Sequence, residues 1–210
     1  VAGTDSGRTH TFTIGSTNVV YTYDESQKDL FCSGYLALTP DSSSGTGTIQ
    51  LKVTSYGTAA STVVGLYQNG ALKKSTMKPG TQTGQLTSNV ITVTNVTPGV
   101  YDLVVSKSGC LDYTIKNVVV TSDGVDLTSH SDPAVKNITL LAGDVDGDGN
   151  INESDVSVIR YASNINKTAS SAANPLADVD GDGNVNESDV SIVRYAAHIN
   201  KSKTHCTYIF

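Results

Sequence analysis

Residues 144–167 and 178–201 are two copies of one 24-residue element, DVDGDGNINESDVSVIRYASNINK and DVDGDGNVNESDVSIVRYAAHINK, identical at 19 positions. The differences fall at 151/185, 158/192, 159/193, 163/197 and 164/198. Each copy opens on an Asp/Gly/Asn loop and continues into a segment with apolar residues at helical spacing. Identity extends to the polar positions, which packing alone does not require. The last third of the chain must therefore fold as a near-two-fold pair of loop-and-helix units, and the shared polar residues point to a duplicated binding task.

The loop spacing names a ligand class. With Asp144 at position one, Asp146 and Asp148 stand at three and five, Gly149 at six, Asn150 at seven, Asn152 at nine and Asp155 at twelve. The second copy places Asp178, Asp180, Asp182, Gly183, Asn184, Asn186 and Asp189 in the same roles. Calcium takes six to eight oxygens, and a twelve-residue loop supplies them from such alternate positions. Here a backbone carbonyl acts at seven, a water is held at nine, and a carboxylate closes the shell at twelve. Asp/Gly/Asn turns that bind nothing are the competing reading, but they would need the full ligand spacing to occur twice without use. Two calcium ions are expected. Position twelve is Asp where the EF-hand pattern has Glu, a shorter arm that draws the following helix closer. No helix is expected before the first loop, because SHSDPAVKNITLLAG carries Pro133 and a β-like run. A calcium sensor opens one helix against another; loop followed by exiting helix, twice, lacks the first member.

Within the helices, Val156, Ile159 and Ala162 share a stripe expected to pack against the other repeat. A second apolar stripe, Val158, Tyr161 and Ile165, recurs as Ile192, Tyr195 and Ile199, beside Arg160 and Arg194. Either both stripes are core, or the second is an exposed strip with the composition of a protein interface. A sixty-residue unit whose metals help fix its fold has little interior to fill, which favours the interface.

From GDVDGDGNINESDVSVIRYA through the spacer to DVDGDGNVNESDVSIVRYA, roughly 142–201, the chain closely resembles dockerins, the modules that anchor proteins in bacterial cellulosomes by binding cohesin domains. The resemblance implies a cohesin on a scaffoldin or cell-surface anchoring protein as partner, and an extracellular location at the bacterial cell surface. It also implies that loop positions ten and eleven and nearby helix positions make the contacts. These are Glu153, Ser154, Val158, Arg160, Tyr161 and Ile165 in the first repeat, and Glu187, Ser188, Ile192, Arg194, Tyr195 and Ile199 in the second. The best-known dockerin group carries a small hydroxyl pair at ten and eleven; Glu-Ser departs from it. Duplicated contacts further imply the family's dual binding mode, in which the module docks in either of two orientations.

Ahead of this module the chain reads as an all-β antiparallel sandwich. Strand-like runs occur at Thr11–Ile14, Val19–Tyr23, Thr48–Thr54, Thr62–Tyr67, Val90–Val96, Tyr101–Val105, Tyr113–Val120 and Lys136–Leu141. Many are separated by turn signals such as Asn69-Gly70, Pro79-Gly80, Pro98-Gly99 and Ser108-Gly109. TPDSSSGTG at 39–47 reads as a linker or long loop. The expected division is a β segment over 1–40 whose membership is open, a sandwich over 41–141, and a small α-helical calcium-binding dockerin over 142–210 with a tail at 202–210. Gly47–Val53, NVITVTNVTPGVY and DLVVSKSGCLDYTIKNVVV resemble prealbumin-like and carboxypeptidase-regulatory-like sandwiches, akin to Cna B-type domains. Some Cna B relatives join Lys to Asn through a buried acid. Lys52 and Asn137 occupy the first and last strands, but Val105 stands where the acid is expected, so no crosslink is expected here. Beside a dockerin, such a sandwich resembles an X module, and structural support is its expected role. The missing linker between Leu141 and Asp144 implies a fixed joint.

Other classes are disfavoured. The net charge of −6 falls to about −2 with two bound calcium ions, and no Lys/Arg cluster suggests nucleic acid. No stretch approaches the ~18 apolar residues of a membrane span. Without an initiating Met or signal peptide, the chain reads as a mature or excised fragment. Cys32, Cys110 and Cys206 cannot all pair within the chain; a Cys32–Cys110 bridge and free thiols are both open. His10, His130, His198 and His205 show no metal spacing, and no His-linked nucleophile or convergent acid pair suggests an enzyme. The alternative is a C-terminal appendage of a secreted plant-polysaccharide-degrading enzyme whose β module binds carbohydrate. Its stacking platform would come from Tyr21, Tyr23, Tyr35, Tyr56, Tyr67, Tyr101 and Tyr113, in a chain with no Trp.

Overall fold

A computed structural model describes residues 9–14, 17–22 and 45–210 of the protein. Cys32, Tyr23, Tyr35 and most of the expected 39–47 linker lie outside the described residues. β1 (Thr9–Ile14) and β2 (Thr17–Thr22) pair antiparallel as a two-stranded sheet. The sandwich follows as β3 (Gly47–Tyr56), β4 (Thr62–Gln68), β5 (Ala71–Lys78), β6 (Leu86–Val96), β7 (Gly99–Lys107), β8 (Tyr113–Val120) and β9 (Val125–Asp126). A short helix α1 (Pro133–Lys136) and β10 (Ile138–Thr139) complete it. The dockerin-like part runs β11 (Asn150–Ile151), α2 (Glu153–Arg160), β12 (Lys167–Thr168), β13 (Asn184–Val185), α3 (Glu187–Val193) and β14 (Lys201–Ser202), ending in β15 (Thr207–Ile209).

Two-residue alternation explains the sandwich core. Ile49, Leu51 and Val53 of β3 point inward, as do Ile91 and Val93 of β6 and Tyr101, Leu103 and Val105 of β7. One sheet runs β10-β3-β6, with β9 on the same edge of β3 as β10; the other runs β15-β8-β7-β4-β5. Asn69 and Gly70, at φ 52° and 75°, make the tight β4–β5 turn, the conformation that an Asn-Gly hairpin requires. Tyr101 and Tyr113 are buried and donate to the carbonyls of Thr97 and Ala134 at 2.7 and 2.6 Å. Both are packing residues.

The sandwich departs from a purely antiparallel plan. β9 and β10 lie parallel to β3, and β15 lies parallel to β8. The expected strand over Lys136–Leu141 shrinks to β10, because Asp132-Pro133 starts a helix: the Asp132 side chain accepts from Ala134 N at 2.8 Å with Pro at the first turn. β5, ALKKSTMK, has no alternation to betray it, since it is an edge strand with lysines on its wet faces. Lys52 is half-buried and Asn137 exposed, which is not the dry setting a Lys–Asn crosslink needs.

The joint between the two parts is sewn rather than linked. Leu111 N donates to Leu141 O at 2.9 Å and Gly143 N to Gly109 O at 2.8 Å, around a bridge between Cys110 and Ala142. The tail closes a second seam: β15 adds to the sandwich sheet, with Tyr208 stacked on Tyr113 at 4.8 Å and Phe210 beside His130 at 5.1 Å. Cys206 is buried beneath it, and Cys110 and Cys206 are not bridged to one another.

Candidate metal centres and partner face

Each loop gathers three carboxylates. Oxygens of Asp144, Asp146 and Asp148 lie within 4.8 Å of one another, and so do those of Asp178, Asp180 and Asp182. The turns that bring them together need glycine: Gly147 and Gly149 sit at φ 76° and 83°, Gly181 and Gly183 at 76° and 96°. Asp144 accepts from Gly149 N at 3.2 Å; Asp178 accepts from Gly181 N and Gly183 N, each at 3.1 Å. Among the described residues no basic side chain is paired with either triad; the ion pairs present join Arg160 to Glu187 and Arg194 to Glu153. Three converging carboxylates without a counter-charge fit a hard divalent cation. Burial and the neighbouring aspartates push Asp144 up to about 6. Burial, then the charge of Asp180, does the same to Asp189, also to about 6. Calcium bound there would supply the positive charge that both clusters lack.

Positions nine and twelve serve the helices. Asp155 is fully buried and accepts from Val145 N at 2.7 Å, Asp146 N at 3.2 Å and Asn152 N at 2.8 Å, while the Asn152 side chain accepts from Ser154 N at 2.7 Å. Asp189 and Asn186 repeat this with Val179, Asp180, Asn186 and Ser188. Each Asn–Asp pair is a capping box, whose sequence signal is N-E-S-D, within the loop's ligand spacing. Neither position-twelve carboxylate joins its triad. Asn150 and Asn184 lie in β11 and β13, their side chains on Asp148 and Asp182.

The repeats interlock. β11 pairs with β14 and β13 with β12, so each loop is zipped to the segment leaving the other repeat's helix. The helices are shorter than the apolar spacing suggested. α2 stops at Arg160, where Asn164 Nδ2 donates to Val158 O at 2.7 Å. Val156 and Ile159 are buried, as are Val190 and Val193, but Ala162 lies past the helix end and is exposed. The expected i, i+3, i+7 stripe is therefore not a single helix face: Tyr161 and Ile165 belong to the turn after α2, as Tyr195 and Ile199 follow α3.

Four of the expected contact residues nevertheless come together, as two crosswise clusters. Arg194 makes a forked pair with Glu153 and Arg160 with Glu187, each across the two-fold. Ser154 Oγ donates to Asp146 at 2.7 Å and Ser188 Oγ to Asp180 at 3.0 Å. Tyr161 and Tyr195 are 59% and 62% exposed, while Val158, Ile165, Ile192 and Ile199 are half-buried against the core. Each cluster thus joins position ten of one repeat to the arginine of the other, with the exposed tyrosine next to that arginine in the chain. The local spacing of either copy could not reveal that exchange.

Residues 142–196 match the family described as Dockerin type I domain. The fold is similar to that of a type II cohesin–X–dockerin complex from Acetivibrio cellulolyticus, a C-terminal interface mutant, at 25% identity and a TM-score of 0.53, over 76% of this chain and 99% of that chain. An N-terminal interface mutant of the same type of complex gives 24% identity and a TM-score of 0.48, over 74% and 99%. No curated protein sequence matches this chain.

Proposed function

We propose that this chain is a non-catalytic cellulosome assembly module: a two-calcium dockerin, braced by an X-module-like sandwich, that binds a cohesin on a scaffoldin or cell-surface anchoring protein outside the cell. The observation that carries this reading is the duplicated surface of exposed tyrosine beside a crosswise Arg–Glu pair, standing on two acidic triads. The type I family match and the solved cohesin–X–dockerin neighbour support it. Twelve loop residues are assigned to calcium, Asp144, Asp146, Asp148, Asn150, Asn152 and Asp155 with their second-repeat equivalents, and the two clusters to the cohesin. The sandwich acts as a brace: Tyr101 and Tyr113 are spent on packing rather than exposed for sugar stacking.

The near-identity of the clusters supports docking in two orientations. Because each cluster mixes repeats, Glu153→Ala with Arg194→Ala should abolish one mode and leave the other. A panel of type I and type II cohesins tested with calcium and with a chelator decides the reading. Calcium-dependent capture by at least one cohesin is expected. Capture by none, or capture indifferent to chelator, overturns it.

A further inference from the structure

The two metal loops are nearly the same in sequence, yet among the described residues only the second takes hydrogen bonds from the sandwich. Gln82, in the loop between β5 and β6, donates its Nε2 to Asp178 Oδ2 at 2.8 Å. Next to it Gly84 N donates to Gly181 O at 2.9 Å. A Cβ on Gly181 would meet Gly57 O at 2.3 Å, whereas a Cβ on Gly147, the same position of the first loop at the same φ of 76°, would meet nothing within 4 Å. The result is an unequal pair. Asp178 is held by Gly181 N, Gly183 N and a side chain from the sandwich; among the described residues Asp144 has only Gly149 N.

We propose that Gln82 is a positioning residue of the second calcium centre, fixing the position-one carboxylate from outside the loop, so that site two is the tighter site and calcium there clamps the sandwich onto the dockerin. The physical basis is general. A group that hydrogen-bonds a metal-ligating carboxylate sets its orientation, and loss of such a partner typically weakens metal binding about 10–100-fold. Linkage makes the effect mutual: if the closed joint tightens site two, calcium at site two must tighten the joint to the same degree. Among the described residues no sandwich side chain meets the position-one carboxylate of site one in this way, so its occupancy leaves this seam unaffected.

The proposal rests on the reading of the loops as calcium sites, and the experiment separates the two. Calcium calorimetry on the 210-residue chain would be run with site one silenced by Asp146→Ala and Asp148→Ala, and again with site two silenced by Asp180→Ala and Asp182→Ala. Gln82→Ala and Gln82→Met are then added to each background; methionine keeps the length and packing of glutamine without its donor. The expected result is about a tenfold loss of affinity at site two from either substitution, and no change at site one. Affinity retained by Gln82→Met, or an equal loss at both sites, overturns the proposal. No calcium uptake by the unsubstituted chain would instead overturn the reading of the loops.

Discussion

Asp155 and Asp148 are both assigned to calcium, and in its absence they carry different loads. Asp155 is buried and satisfies three backbone N–H groups, so Asp155→Ala strands donors whose loss costs about 1–3 kcal/mol each where they stay dry. Urea unfolding in chelator should show a loss of roughly 3 kcal/mol. Asp148 is exposed, belongs to the triad and accepts only surface bonds from Asn150, so Asp148→Ala should abolish calcium uptake at site one and change stability in chelator by about 1 kcal/mol or less. Equal costs in chelator would contradict this division. The raised carboxyls set a pH dependence of definite sign. Asp144 and Asp189 start from 3.8 and are lifted to about 6 in the fold, so protonation favours the folded, calcium-free form. Their contribution is fully present below about 4 and lost as pH rises through 6. Without calcium, melting temperature should therefore fall between pH 4 and 7. With excess calcium the stabilisation should grow over the same window as carboxylates become available. Melting curves in chelator and in calcium should converge at the acid end; a chelator curve that rises toward pH 7 would refute the assignment.

At the level of elements, what could be read from the sequence depended on how far apart the interacting residues lie. The three carboxylates of each triad stand within one short loop, and alternation in β3, β7 and β8 is equally local, so both are legible in the sequence. The crosswise ion pairs link residues 27 and 41 apart, and no periodicity in either helix announces them. The tail is the extreme case: THCTYIF has too few residues for a pattern, and its strand exists because β8 offers an unpaired edge. That makes β15 a brace for the sandwich, although it follows the dockerin in sequence. Tyr208→Ala removes the stack on Tyr113, worth about 1 kcal/mol. Removal of residues 207–210 also strips the parallel pairing from Thr114, Ile115 and Lys116. The expected outcome is a lowered melting transition for the sandwich itself, followed by near-ultraviolet dichroism of its tyrosines, with calcium uptake retained. An effect confined to the dockerin would show that the tail does not brace the sheet.

The whole molecule behaves as one body to the extent that its seams hold, and the glycine pair Gly147 and Gly181 offers a way to measure this. Both lie at φ 76°, so a substitution meets the same backbone demand in each loop, and asparagine tolerates that conformation better than most residues. What differs is the surroundings: open space at Gly147, and the Gly57 carbonyl and Thr58 backbone of the sandwich at Gly181. Gly147→Asn should cost about 1 kcal/mol or less, the conformational part alone. Gly181→Asn carries the same part and must also push the backbone of Gly57 and Thr58 away, breaking the Gly84–Gly181 hydrogen bond and moving Gln82 off Asp178. Calorimetric melting in calcium should therefore show one merged transition for the unsubstituted chain and for Gly147→Asn, but separate dockerin and sandwich transitions for Gly181→Asn. If the two variants melt alike, the sandwich does not bear on the second loop, and the joint is held by the Cys110–Ala142 seam and the tail alone.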